Sequence, residues 1–233
     1  MTLVLPAVAQ GKRSLMEAAV RLMAHSRSLS SLGLRELARE AGLNPNTFYR
    51  HFQSVDELGL AIIRHIAVQL RQPLRDLRRQ AAASAMQLPA GPKVLGADIN
   101  RGRMVCEKTV QLFFHFVAQN PHAFIVGMRE LHGASPMLRG ALREIMEAFA
   151  EDMAEDIFEL QLVPGVEMAA IRRLASIISR QLFQSSLDYL EQDDQRAQIS
   201  AQSEEMIISL FAGAMVLHNL ELLQGNDAAV PLS

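Results

Sequence analysis

The chain has 233 residues, of which 49 % are hydrophobic and 21 % charged, with a formal net charge of −2. This is enough apolar material for one large domain or two small ones, and no apolar run approaches the roughly 18 residues that cross a bilayer, so no membrane partner is expected. The one cysteine, Cys106, excludes an intrachain disulfide and fits a reducing, cytoplasmic setting.

The small net charge conceals an uneven distribution. Residues 1–80 hold 12 Lys and Arg against 6 Asp and Glu, whereas residues 81–233 hold 11 against 19. A basic first third on an acidic body suggests that the first third meets a polyanion.

In chain order, "MTLVLPAVAQGKR" places its charges after its apolar run, the wrong order for a secretory signal, and residues 1–11 are expected to be a loose tail. Leu15, Ala18, Ala19, Leu22 and Met23 then share one face of a helix over about 12–26. "SRSLSSLG" breaks it. Leu34, Leu37, Ala38 and Ala41 mark a second, shorter helix, and Gly42 stands where a left-handed terminal residue is wanted. Asn44-Pro45 reads as a cap followed by a proline at the first helical position of a third helix, 45–51, with Phe48 and Phe52 on its buried side.

"SVDE" at 54–57 has the spacing of a capping box, Ser54 with Glu57, and opens a long helix into the mid-80s. Pro73 inside it predicts a kink near Gln72. "QLPAGPKVLG" at 87–96 reads as a linker. Helices are then expected over about 100–119, from Asn120-Pro121 to near Gly133, from Ser135-Pro136 to about 162, over 166–191, and over 201–224 with a stop at Gly225. The expectation is an all-α chain of about nine helices with no sheet: a three-helix unit over 12–53, a helical body over 54–225 and a tail at 226–233.

Three short helices joined by tight turns, ending in a polar third helix, have the form of a helix-turn-helix. Such a unit sets its second helix in the major groove of DNA, with the N-terminal residues nearest the bases. Asn pairs with adenine at two points and Thr offers a hydroxyl or a methyl, while Tyr, His and Arg reach phosphates.

At this point residues 12–58 resemble the DNA-binding domain of the TetR family of bacterial repressors. The resemblance rests on "KRSLMEAAVRLM" and on "LRELAREAGLNPNTFYRHFQSVDELG", above all the run Thr47-Phe48-Tyr49-Arg50-His51-Phe52 after Leu37–Gly42. Two positions depart from the family pattern: Val55 stands where a phosphate-pairing Lys is usual, and Gly33 where the second helix usually has a Ser or Thr cap. The resemblance implies a homodimer on double-stranded DNA carrying a palindromic operator. Asn46 and Thr47 would face bases, and Tyr49 and His51 the backbone. Asn44 and Arg50 would join them, and Arg13, Arg35 and Arg39 would touch phosphates.

The resemblance also gives the body two tasks. It would bind a small apolar effector, lined by Ile62, Ile66, Phe113, Phe116, Val117, Phe124 and Met128, Met and Phe being adaptable walls. It would also dimerise through the last two helices, which are apolar on two sides and so need two partners. "DELGL" at 56–60 and "RE" at 129–130 are closest to the FabR-like and DesT-like regulators of unsaturated fatty acid synthesis, which implies a long-chain acyl-CoA effector with Arg129, His132 and Arg139 near its phosphates. An unrelated hydrophobic effector, or a helical module that binds no DNA, are the alternatives.

Enzymatic activity is not expected. The carboxylates of "EDMAEDIFE" at 151–159 have the spacing of a solvated helix face, no phosphate loop or nucleophile motif appears, and the seven His lack metal-ligand spacing. His115, among Phe residues, reads as a core histidine. No cofactor is called for.

Overall fold

A computed structural model of the chain describes residues 10–24, 29–87 and 91–227. The expected tails at 1–11 and 226–233 fall mostly outside these residues, as do parts of the expected breaks near 27 and 88. Among the described residues the chain is all-α, with nine α-helices: α1 (Gln10–Ala24), α2 (Leu34–Glu40), α3 (Pro45–Phe48), α4 (Val55–Met86), α5 (Ile99–Gln119), α6 (Pro121–Leu131), α7 (Pro136–Glu159), α8 (Met168–Glu191) and α9 (Arg196–Asp227).

The helix starts follow local chemistry. The Asn44 side chain accepts from the Asn46 N–H at 2.9 Å, with Pro45 at the first position of α3. Ser54 Oγ accepts from the Glu57 N–H at 3.1 Å, but Glu57 reaches one residue beyond the box, to the Gln53 N–H at 2.6 Å. Ser135 caps α7 and also donates to Asp56 of α4 at 2.7 Å, so the start of α7 is tied to the start of α4. Gly42 closes α2 at φ +67°, a left-handed conformation that costs a side-chain residue steric strain.

Several expectations are corrected. α3 is one turn shorter than expected; Tyr49–Phe52 continue it through tighter turns, with the Arg50 N–H on Thr47 O and the His51 and Phe52 N–H on Phe48 O. α4 runs to Met86 with Pro73 inside it, as its expected length required. The linker is not structureless: β1 (Lys93–Val94) pairs antiparallel with β2 (Ala97–Asp98), turned by Leu95 and Gly96 at positive φ. α9 begins earlier than 201 and runs past Gly225 to Asp227, although glycine is a poor helix former.

Two cores result. The first joins Leu15, Ala19, Leu37, Phe48, Phe52 and Leu58 of the N-terminal unit with Val126, Leu138 and Leu142 of α6 and α7. α4 passes very close here: a Cβ on Gly59 would lie 2.2 Å from Leu29 Cδ2 and 3.1 Å from Leu138 Cδ2. The second fills the body, from Leu70 and Leu74 of α4 to Phe211 and Met215 of α9. Within it Phe113 stands edge-on to Phe114, Phe124 and Phe183, with centroids 5.3–5.8 Å apart.

Polar contacts lock the units together. Glu130 of α6, only 2 % exposed, accepts from the Leu29 N–H at 2.7 Å, and its neighbour Arg129 donates to Met23 O at 3.3 Å. Between α4 and α7 lies a ladder of ion pairs. Arg71 forks onto Asp152 at 2.6 and 2.9 Å, Arg75 bridges Asp152 and Glu155 at 2.9 Å, and Arg78 grips Asp156 through Nε and Nη2 at 2.7 and 2.6 Å. Arg79 reaches Glu159 at 3.4 Å. The 151–159 carboxylates are therefore only in part a solvated face: Glu159 is exposed and Glu151 and Glu155 are half-buried. Asp152 and Asp156 are buried, Asp156 at 0 % exposure, and Glu151 pairs with Arg172 of α8 at 2.7 Å. The helical spacing was right; the cations that turn it inward lie some 80 positions earlier in sequence.

Glu130→Ala is expected to leave the buried Leu29 N–H without a partner and to cost about 1–3 kcal/mol in urea unfolding, with most of that recovered in Glu130→Gln, which keeps an acceptor. A second test concerns acid. Burial pushes the Asp152 carboxyl up, but hydrogen bonds and charge from Arg71 and Arg75 outweigh it and hold it below its ordinary value. A depressed folded-state pKa stabilises fully above the unfolded-state pKa of about 3.9 and is lost as pH falls through the lower folded-state value. The Tm advantage of the wild type over Asp152→Asn should therefore be full at about pH 6 and shrink below about pH 4.

Candidate DNA-binding and effector sites

α3 is held from behind and bare in front. Phe48 is fully buried, Phe52 packs beside it with centroids 5.9 Å apart, and Lys12 Nζ stands 5.1 Å over the Phe52 ring. On the other side Asn44, Asn46, Tyr49 and Arg50 are exposed, Tyr49 at 63 %, and Thr47 is half-buried. The Tyr49 ring meets Phe48 edge-on at 5.7 Å, so its orientation is fixed although its hydroxyl is not enclosed.

His51 is half-buried against α1, where a Cβ on Gly11 would come within 2.7 Å of its Nε2. Arg35, in the first turn of α2, is exposed, and Arg13 pairs with Glu17 one turn along α1 at 3.0 Å. Asn44, Asn46, Thr47, Tyr49 and Arg50 thus share one short element, while His51, Arg13 and Arg35 flank it. Asn44 already spends its side-chain oxygen on the cap. Lys12, which sequence reasoning did not single out, lies beside this group. Its signal was the run of two cations, Lys12 and Arg13, opening the first amphipathic helix.

The apolar candidates divide. Ile66, Phe124 and Met128 line a cavity of about 50 Å³ between α4, α6, α7 and α8, with Ile63, Phe149 and Phe183. Phe113, Phe116 and Val117 do not line it: Phe113 and Val117 are buried in the core behind Phe124, and Phe116 is packed edge-on to Phe124 at 6.1 Å. Ile62, one residue from Ile63, points into the N-terminal core. Arg129 turns to α1, and Arg139 caps the chain at Gly133 and Ala134. His132 is exposed at the end of α6. His115 is not a core residue: it is exposed and bonded to Gln119 at 2.7 Å.

Sequence reasoning missed Phe149 and Phe183. The stripe Leu142, Ile145, Met146, Phe149 on α7 carried that signal, at helical spacing.

A second cavity, of about 130 Å³, lies under the hairpin among α5, α7, α8 and α9, with Val105, Cys106, Met153, Ile157 and Phe211 on its wall. Burial, with the nearby charges of Glu204 and Glu107, pushes the Cys106 thiol up to about 12. Among the described residues there is no group of His, Cys, Asp and Glu that fits a metal ion, and no helix is long and apolar enough to cross a membrane.

α8 and α9 expose apolar side chains away from the core: Ile177, Val216, Leu217 and Leu220, with Leu217 at 63 %. A broad groove runs between them from Val166 and Leu174 to Gly213 and His218.

The comparisons with known proteins bear on the N-terminal unit and on the fold. The family described as bacterial regulatory proteins, tetR family, matches residues 15–62. The fatty acid degradation regulator FadR from Bacillus halodurans superposes with a TM-score of 0.63 at 15 % identity, covering 88 % of this chain and 97 % of that one. A tetR-family transcriptional regulator from Streptomyces coelicolor gives 0.58 at 15 % identity, over 92 % and 84 %. FadR from Bacillus subtilis, in complex with stearoyl-CoA, gives 0.57 at 16 % identity, over 86 % and 98 %. Residues 15–62 are a tetR-family N-terminal domain, set on an all-α chain with the fold of solved tetR-family regulators.

Proposed function

We propose that the protein is a homodimeric, non-enzymatic transcriptional repressor that binds a palindromic operator and answers to a long-chain acyl-CoA, in the manner of the FabR-like and DesT-like regulators. The observation that carries the DNA reading is the exposed polar front of α3, with Asn46, Tyr49 and Arg50 facing out from an element whose back is bolted down by Phe48. Asn46 and Thr47 read bases, Tyr49, Arg50 and His51 grip phosphates, and Lys12, Arg13 and Arg35 extend the basic surface.

The exposed apolar strip on α8 and α9 supports dimerisation, since a second copy is the simplest cover for a two-sided helix pair. A twofold axis there would set two α3 elements about 34–36 Å apart on successive major grooves. The cavity beside Ile66, Phe124 and Met128 supports effector control. α6 contributes Phe124 and Met128 to its wall and, one turn on, Arg129 and Glu130 to the Met23–Leu29 junction. A ligand that wedges α6 therefore shifts the N-terminal unit, provided it prefers one of the two arrangements. The stearoyl-CoA bound by the Bacillus subtilis relative makes an acyl-CoA the first effector to try.

The testing experiment is a mobility shift on the DNA upstream of the protein's own gene, over a salt series and with a panel of acyl-CoAs. Affinity should fall steeply with salt, as phosphate contacts require. Tyr49→Phe is expected to weaken operator and unrelated DNA alike, by roughly tenfold, whereas Asn46→Ala should lose about 1–3 kcal/mol of discrimination between bases while keeping non-specific binding. Salt-insensitive binding, or equal and negligible effects of both variants, would sink the reading. For the dimer, Leu217→Asp is expected to leave the fold intact and convert the sedimenting species to a monomer, with operator affinity falling by at least about a hundredfold as the second half-site is lost. A monomeric wild type would remove the twofold arrangement.

A further inference from the structure

The cavity under the hairpin differs in kind from the one beside Phe124. It is the larger, about 130 against 50 Å³, and its wall is almost wholly carbon. Yet cations gather at its edge. Arg103 lines it from α5 and is exposed. An open recess next to it, carrying Lys93 and Arg101, shares Asp98 and Leu162 with the cavity, so the two spaces adjoin. Arg101 Nε is buried and has no hydrogen-bond partner, an uncompensated donor of the kind that folded chains avoid unless something else bonds it.

The acids nearby have partners of their own, although Asp156 Oδ1, like Arg101 Nε, is buried without a hydrogen-bond partner. Asp98 accepts from the Arg101 and Gly91 N–H groups, and Asp156 is held by Arg78, the buried cation on the cavity wall. Glu107 and Glu204, near Cys106, line neither space. What is left at the mouth is an excess of positive charge beside a dry, carbon-lined hole. A neutral apolar compound would make no use of the cations, and a plain phosphate none of the hole.

We propose that this cavity and recess form a second binding site, which takes an alkyl-chain anion: the chain in the hole, the anionic head on Lys93, Arg101 and Arg103. Fatty acids and their CoA thioesters share this chemistry. The site deepens the effector reading above, on which its regulatory meaning rests, but not its existence as a site. Apolar burial grows with each methylene enclosed, and charge-assisted hydrogen bonds fix the head. The hairpin explains the placement, since Lys93 and Asp98 are register partners that carry the recess over the start of α5.

The test measures binding to the full chain without DNA, by titration calorimetry, using laurate, lauroyl-CoA and dodecanol. Gly102 lines the cavity on α5, and a Cβ there meets nothing within 4 Å, so Gly102→Phe obstructs the site without a clash at the backbone. Both anions should bind the wild type, and dodecanol more weakly. Gly102→Phe should weaken both anions about tenfold or more. The double reversal Lys93→Glu with Arg103→Glu, both exposed positions, should weaken the anions about fivefold or more and leave dodecanol within about twofold. Gly127→Val, which narrows only the other cavity, should leave these affinities unchanged. Binding of laurate equal to that of lauroyl-CoA would assign the head site to a carboxylate; binding of lauroyl-CoA alone would assign it to the nucleotide phosphates. The proposal is overturned if neither anion binds, if Gly127→Val and not Gly102→Phe removes binding, or if charge reversal has no effect. Binding that passes these tests without altering operator affinity would defeat the effector reading and leave the site standing.

Discussion

The ladder between α4 and α7 is the constraint on which the rest of the structure depends. Its cations lie at 71, 75, 78 and 79 and its carboxylates at 152, 155, 156 and 159, each set on one face of its own helix. The innermost rung, Arg78 with Asp156, is out of water altogether. Burial lowers the Arg78 guanidinium from its ordinary value against the pull of Asp156, and removing Asp156 would strand that charge in the core, at a cost of about 3–5 kcal/mol, whereas Asp156 without Arg78 would keep Arg75 and Arg79 at 3.4 and 3.5 Å. A hydrophobic pair would do as well for stability alone. An ion-pair ladder adds register, because a one-turn slip of α4 along α7 would break its paired geometry and leave a charge at one end without its partner.

Register matters because α4 belongs to both halves of the molecule. Its first turns carry Leu58 and Ile62 into the N-terminal core, and its later turns carry Leu70 and Leu74 into the body. Gly59 lets it pass against Leu29 and Leu138 with almost no clearance. The Ser135–Asp56 bond and the Glu130–Leu29 bond close the same joint from α6 and α7.

Local chemistry made most of the architecture legible in the sequence. The caps at Asn44, Ser54 and Ser135, the prolines at 45, 121 and 136, and Gly42 each act within a few residues, and the helix starts stand where these residues place them. The polar front of α3 was legible for the same reason, since Phe48 and Phe52 fix which side is hidden. Long-range pairing was not. Nothing within "EDMAEDIFE" tells that Arg71, Arg75 and Arg78 await it, so Asp152 and Asp156 looked solvated. The apolar run 110–128 shows the same limit. Periodicity says that Phe113, Val117 and Phe124 are inside, but only packing separates Phe124, on a cavity wall, from Phe113 and Val117 behind it. The linker hid a hairpin because two-residue strands carry no pattern to read.

The N-terminal core has a consequence for anyone who would treat the first helices as a detachable part. Val126, Leu138 and Leu142 fill that core from α6 and α7, and the Leu29 N–H finds its acceptor on Glu130. Cut away from the body, the unit would lose three wall residues and a buried acceptor, and would bare the apolar side of α4. The joint has two matched halves. A chimera that borrowed this N-terminal unit for another body would have to import the facing surfaces of α6 and α7 as well, so change in one half is held to change in the other.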